Sequence, residues 1–148
     1  MKAVVVYEPG GPEALVYTDV PRPMVKDGWS LVLVRGGASG VGIAFLRLLR
    51  ARFSQMRIVG TTRRAEMGEQ LHVAGYSDVV TETNGTLDTE EQYDRILDLV
   101  GPSAIKDSMQ HLRCRGVLCS TGQLGGKWFL EEFDPIVDLA EDAYLRKH

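Results

Sequence analysis

The feature that most constrains this chain is the run Leu31-Val32-Leu33-Val34-Arg35-Gly36-Gly37-Ala38-Ser39-Gly40-Val41-Gly42. An apolar stretch of strand character empties into a glycine-rich turn and then directly into a helix pattern. A strand, a tight turn and a helix start in that order build a site for a nucleotide pyrophosphate. Glycines let the backbone turn sharply and come close to phosphates, and the helix start offers unpaired N–H groups to the anion. Gly37, Ser39 and Gly42 occupy the G-x-G-x-x-G positions with serine in the middle, while Gly36, Gly40 and Gly42 fit a G-x-x-x-G-x-G spacing. Neither spacing decides alone. The flanking elements strengthen the reading, because Val41, Ala44, Phe45, Leu48 and Leu49 fall on one face at helical spacing with Arg47 and Arg50 outside. A dinucleotide ligand is implied.

Composition bounds the remainder. With 148 residues, 44% hydrophobic and 25% charged, the chain is long enough for one domain with a real core. A net charge of -3 provides no basic field for nucleic acid, and the local cluster Arg47, Arg50, Arg52 and Arg57 reads as a solvated face. The opening Met1 to Val6 carries one charge before an apolar run that stops at Glu8-Pro9-Gly10-Gly11, too short for a signal peptide or a membrane span. A cytoplasmic protein without a membrane partner is expected. Asn84-Gly85-Thr86 matches a glycosylation sequon, but Asn-Gly reads first as a turn, since both residues tolerate positive φ. Cys114 and Cys119 are expected to remain thiols, and with His111 they lack the spacing of a metal site, so no metal is expected.

Along the chain, residues 2 to 7 and Leu15 to Val20 read as two short strands around Pro9-Gly10-Gly11-Pro12, and Pro21-Arg22-Pro23 forces an extended exit. From Leu31 onward strands alternate with helices. The pattern gives Leu31 to Val34, a helix to about Phe53, Ile58 to Thr62, a helix through Leu71 and Ala74, then Val79-Val80. A second series follows, with Ile96 to Val100 as a strand, Ile105, Met109 and Leu112 as a helix face, and Gly116 to Ser120 as another strand. Thr81 to Glu91, polar and acidic, reads as a surface connection. The expected fold is therefore α/β: a Rossmann-like, doubly wound parallel sheet over residues 31–148, preceded by a β segment over residues 1–30.

In such folds an Asp or Glu at the end of the second strand binds the ribose 2′-hydroxyl of NAD. Here the corner reads Thr61-Thr62-Arg63-Arg64, with no carboxylate, and a guanidinium matches a phosphate, so NADP(H) is preferred, with Arg63 foremost. The alternative is that Arg63 and Arg64 open the next helix as a charged face with Glu66 and Glu69. Ligands of open parallel sheets lie across the carboxyl edge, where Leu99-Val100-Gly101 and Thr121-Gly122-Gln123 end two further strands. The candidate cofactor-binding residues are thus Gly37, Ser39, Gly40, Val41, Gly42, Thr62, Arg63, Arg64, Leu99, Val100, Thr121, Gly122 and Gln123. Asp98 reads as a strand-end cap before it reads as a catalytic group.

With those residues in view, the chain resembles the medium-chain dehydrogenase/reductase family, and within it the zinc-independent quinone-oxidoreductase-like members. Met1-Lys2-Ala3-Val4-Val5 with Pro9-Gly10-Gly11-Pro12-Glu13 resembles that family's opening, and Val34 to Gly42 its nucleotide loop. Thr61-Thr62-Arg63 is similar to its NADPH-type corner, Ile96 to Gly101 to its fourth strand, and Arg115-Gly116-Val117 through Thr121-Gly122 to its fifth. Met67 stands where many relatives carry a lysine. The resemblance implies hydride transfer between NADP(H) and a quinone, enone or carbonyl, with a small molecule as the partner.

The larger departure is that relatives insert most of a GroES-like catalytic domain between the opening strands and the nucleotide loop, whereas here Asp27-Gly28-Trp29-Ser30 runs directly into Leu31. Residues 1–30 then read as a remnant of that domain, and the chain as internally deleted and C-terminally shortened. Hydride transfer needs the substrate held near the nicotinamide with water excluded, so no catalytic residue is nominated. A cofactor-binding module without turnover is the competing reading. A short-chain dehydrogenase would need a Tyr-x-x-x-Lys pair, and none of Tyr7, Tyr17, Tyr76, Tyr93 or Tyr144 has a lysine four residues on. Loss of the last strand of the sheet, with Trp128, Phe129 and Phe133 exposed, leads to an expected homo-oligomer.

Overall fold

The computed structural model describes residues 2–6, 15–19, 30–139 and 142–147. The expected Pro9 to Pro12 turn, the Pro21 to Pro23 exit and the Asp27 to Trp29 junction lie outside them. Strands β1 (Lys2–Val6) and β2 (Leu15–Asp19) pair antiparallel as a two-stranded sheet.

The larger sheet has seven strands: β3 (Leu31–Arg35), β4 (Arg57–Thr62), β5 (Asp78–Thr83), β6 (Thr86–Leu87), β7 (Tyr93–Asp98), β8 (Leu112–Ser120) and β9 (Tyr144–Lys147). Their order across the sheet is β6-β5-β4-β3-β7-β8-β9, parallel throughout except for β6, which returns antiparallel on β5. The doubly wound α/β fold expected from the alternation is thereby realised. Strand order reverses between β3 and β7, so the crevice at their carboxyl ends is where such a sheet takes a ligand.

Helices α1 (Gly40–Arg52), α2 (Gly68–Ala74), α3 (Ile105–Gln110) and α4 (Pro135–Asp138) fill the crossovers. Two cores result, one on each side of the sheet, because successive residues of a strand face opposite ways. Val32 and Val34 join Leu46, Ile58, Leu71 and Tyr76 in one core. Leu31 and Leu33 join Val59, Ile96, Met109 and Leu118 in the other. Burial on both faces is why β3 reads as an unbroken apolar run.

Several sequence expectations are corrected. Helix α1 is rotated from the expected face: Gly42 and Leu46 are buried, whereas Val41 and Leu48 are each 63% exposed. The rotation follows from Gly42, where a Cβ would lie 2.8 Å from the carbonyl oxygens of Gly36 and Gly37, so this side of the helix must face the loop. Arg50 and Arg57 are no bare solvated face either. The Arg50 guanidinium donates to the carbonyls of Gly75 and Met56 and to the Ser77 hydroxyl, and Arg57 pairs with Asp78 and Glu91.

The Thr81 to Glu91 stretch is no mere surface connection. Strand β5 runs through it to Thr83, Asn84 (φ 52°) and Gly85 (φ 83°) turn the chain as the Asn-Gly pair implied, and Glu82 and Leu87 are buried. Strand β7 begins and ends earlier than expected, and β8 begins at Leu112, which therefore leaves the α3 face. Beyond β8 the sheet carries one more strand than the sequence implied: β9 pairs parallel with β8 in the outermost position. Trp128 and Phe129 are exposed as expected, and Phe133 is half-buried.

Candidate functional site

The carboxyl edge opens into a cleft of about 790 Å³, within the range of roughly 300–1,000 Å³ for small-molecule and cofactor sites. The glycine loop forms one wall. Gly36 has φ +76°, which favours glycine, and its N–H donates to the Thr61 hydroxyl at 3.0 Å. Ser39 is the N-cap of α1: its N–H donates to the Gly36 carbonyl and its Oγ accepts from the Gly42 N–H at 3.1 Å. At the start of the helix the N–H groups of Gly40 and Val41 have no carbonyl one turn back to donate to. A Cβ on Gly40 would meet nothing within 4 Å, so this position is open, beside Ser39 but not itself bordering the cleft.

Tyr76 holds the loop from below. Its hydroxyl lies 3.1 Å from the Gly37 carbonyl and 3.2 Å from that of Gly42, and burial drives its pKa well above the ordinary tyrosine value. The phenol therefore stays protonated and donates. Gly37 packs beneath the loop for this reason: a Cβ there would come within 3.1 Å of Gly60, Thr61 and the Tyr76 hydroxyl. A Cβ on Gly60 would strike the Tyr76 ring at 2.9 Å.

The corner after β4 forms the next wall. The Thr62 hydroxyl accepts from the Arg64 N–H at 3.1 Å, turning the chain so that Arg63 and Arg64 border the cleft. Neither arginine makes an ion pair with a described residue; both are exposed, as are Glu66 and Glu69 on the helical turn and helix that follow. Val100, two residues past the end of β7, also lines the cleft.

Among the residues expected from the sequence, Ser39, Thr62, Arg63, Arg64 and Val100 thus meet at one cleft. Gly37 and Gly42 lie in the packing under the loop. Val41 is exposed on the outer side of α1, and Leu99 is buried at 4% exposure. Gly122 is pressed onto the Leu99 backbone, whose oxygen a Cβ would approach to 2.3 Å, while Thr121 and Gln123 are exposed beside it without bordering the cleft. Asp98 is the strand-end cap: fully buried, it accepts from the N–H groups of Val100 and Gly101 and from the Ser120 hydroxyl. Burial raises its pKa above the ordinary carboxylate value, against the lowering effect of those hydrogen bonds.

Three parts of the cleft were not legible in the sequence. Lys127, with Leu124 and Gly125, reaches it from the segment after β8, and Asn84 with Gly85 reaches it from the β5–β6 turn. The third is Glu82, tied to the fully buried Arg35. The Arg35 guanidinium donates to the Glu82 carboxylate through Nε at 3.2 Å and Nη2 at 3.0 Å, and to Asp107, Ser108, the Ala104 carbonyl and the Gly85 carbonyl. A charge taken out of water is tolerated only when paired and fully hydrogen-bonded, and Arg35 meets both conditions. The signal available in the sequence was the single arginine interrupting the apolar strand just before the loop.

No known protein-family profile matches the chain, and no curated protein matches it. Solved structures do. A mycobacterial quinone oxidoreductase superposes with TM-score 0.67 at 24% identity, covering 84% of this chain and 39% of its own. Escherichia coli K-12 YhdH, solved with bound NADPH, gives TM-score 0.64 at 19% identity over 80% of this chain and 36% of its own. A thermostable alcohol dehydrogenase from Pyrobaculum aerophilum gives 0.62 at 22% identity over 80% and 34%. The chain shares its fold with these proteins and spans little more than a third of their lengths.

Proposed function

We propose that the chain is an NADP(H)-binding oxidoreductase of the medium-chain, quinone-reductase-like type, which transfers hydride to a quinone, enone or carbonyl. The observation that carries this reading is that the phosphate-loop residue Ser39 and the cations Arg63 and Arg64 border one and the same cleft. The N–H groups at the start of α1 would receive the pyrophosphate, Arg63 and Arg64 the 2′-phosphate, and Val100, Leu124 and Lys127 would flank the remaining part of the cofactor. The fold shared with the NADPH-bound YhdH structure and with a quinone oxidoreductase supports it. When bound, the nicotinamide supplies or accepts the hydride. Gly37, Gly40, Val41, Gly42, Thr62, Leu99, Thr121, Gly122 and Gln123 serve the same cofactor by shaping the loop and the strand ends.

Residues 1–30 and 31–148 are proposed as a separate β segment and the dinucleotide-binding unit. Only residues 20–30 lie between β2 and β3, which leaves no room there for a substrate domain. That spacing favours a second reading, a cofactor-binding module without turnover. Calorimetric titration tests the shared part: Arg63→Ala should weaken NADPH binding on the order of tenfold to a hundredfold and leave NADH nearly unchanged, since only NADPH carries the additional phosphate. Equal losses for the two cofactors would remove the assigned role of Arg63. Steady-state NADPH oxidation with a panel of quinones then separates the enzyme from the silent module.

A further inference from the structure

Glu82 has two carboxylate oxygens in different circumstances. Oε2 accepts from Arg35 Nε at 3.2 Å, from Arg35 Nη2 at 3.0 Å and from the Thr61 hydroxyl at 3.3 Å. Oε1 accepts from no described residue. The side chain is 5% exposed and borders the cleft, so the fold spends one oxygen internally and leaves the other facing the site. Three donors on one oxygen stop the carboxylate from rotating, and the direction of Oε1 is fixed before any ligand arrives. Oε1 is not enclosed, so a donor entering the cleft can reach it.

We propose that Glu82 reads the base of the bound dinucleotide, its Oε1 accepting a hydrogen bond from the exocyclic 6-amino group of adenine. This rests on the reading of the cleft as a dinucleotide site. Glu82 stands on β5, beyond β4 and its Arg63–Arg64 corner in the strand order, which places it on the adenosine half. Donors on that half are the ribose hydroxyls and the adenine amino group. The ribose carries the 2′-phosphate at the arginine corner, and a carboxylate on the neighbouring hydroxyl would repel it. The amino group is the donor that remains. The residue thus contributes an adenine preference in addition to holding Arg35.

The test compares oxidised NADP with its hypoxanthine analogue, which carries a carbonyl oxygen where adenine has the amino group. In the unmodified chain that oxygen would confront Oε1, acceptor against acceptor, and calorimetry should show the analogue bound at least about tenfold more weakly. In Glu82→Gln the amide oxygen keeps the Arg35 bonds and turns the NH2 group to the cleft, so the preference should reverse. Asp107→Asn perturbs the same Arg35 without bordering the cleft and should keep the original preference. Equal binding of the two cofactors by the unmodified chain overturns the proposal while leaving the dinucleotide site intact. Loss of the preference in Asp107→Asn also overturns it, since the effect would then be structural. Failure of the unmodified chain to bind either cofactor removes the site and the proposal together. If Glu82→Gln does not fold, the unmodified chain and Asp107→Asn still decide.

Discussion

At the scale of single residues, the chain buries charge beside its candidate site, and two consequences are measurable. Arg35→Met would leave the Glu82 and Asp107 carboxylates without their guanidinium, a loss of about 3–5 kcal/mol of folding stability, checked by urea denaturation. Asp98 offers a pH signature. Its folded-state pKa is raised by burial above the ordinary 3.8, so below that value its contribution to stability is fully present, and it is lost as pH rises through the raised value. Asp98→Asn cannot ionise. The stability difference between the unmodified chain and Asp98→Asn should therefore shift against the unmodified chain as pH climbs through the acid range, then level off. A difference independent of pH would contradict the raised pKa.

At the scale of elements, the strand–loop–helix unit separates two kinds of glycine. Gly42 is needed for packing, because a Cβ would press on the Gly36 and Gly37 carbonyl oxygens at 2.8 Å. Gly40 has open space, and only an incoming ligand would meet its Cβ. Gly42→Ala should cost about 1–3 kcal/mol in thermal or urea unfolding. Gly40→Ala should unfold like the parent and yet bind NADPH on the order of tenfold more weakly. Were Gly40→Ala to bind as the parent does, the pyrophosphate would not lie against this helix start. The loop's glycines were readable from their spacing, but which of them packs beneath the loop and which lies open was not. That division depends on Tyr76 and Gly60, which approach from elements the spacing does not contain.

At the scale of the whole molecule, the sheet retains an outermost strand, β9, whose Tyr144 and Leu145 are half exposed, while Trp128 and Phe129 are 73% and 81% exposed. Apolar groups on this scale favour association. Sedimentation over a concentration series should show self-association, and a monomer at every concentration would refute it. The apolar surface lies on β9 and on the segment between β8 and β9.

The sequence by itself determined the alternating strands, the glycine loop, the arginine corner and the parallel sheet, because each is written in local spacing: the apolar run of a buried strand, glycines where backbone must turn or approach, two arginines directly after a strand end. Only the tertiary structure decided which way α1 faces, that Thr81 to Glu91 enters the core, and that Glu82 and Lys127 reach the cleft. Arg35 meets Glu82 across 47 positions and Asp107 across 72. Such pairings are set by strand order rather than by periodicity, so no window along the chain contains them.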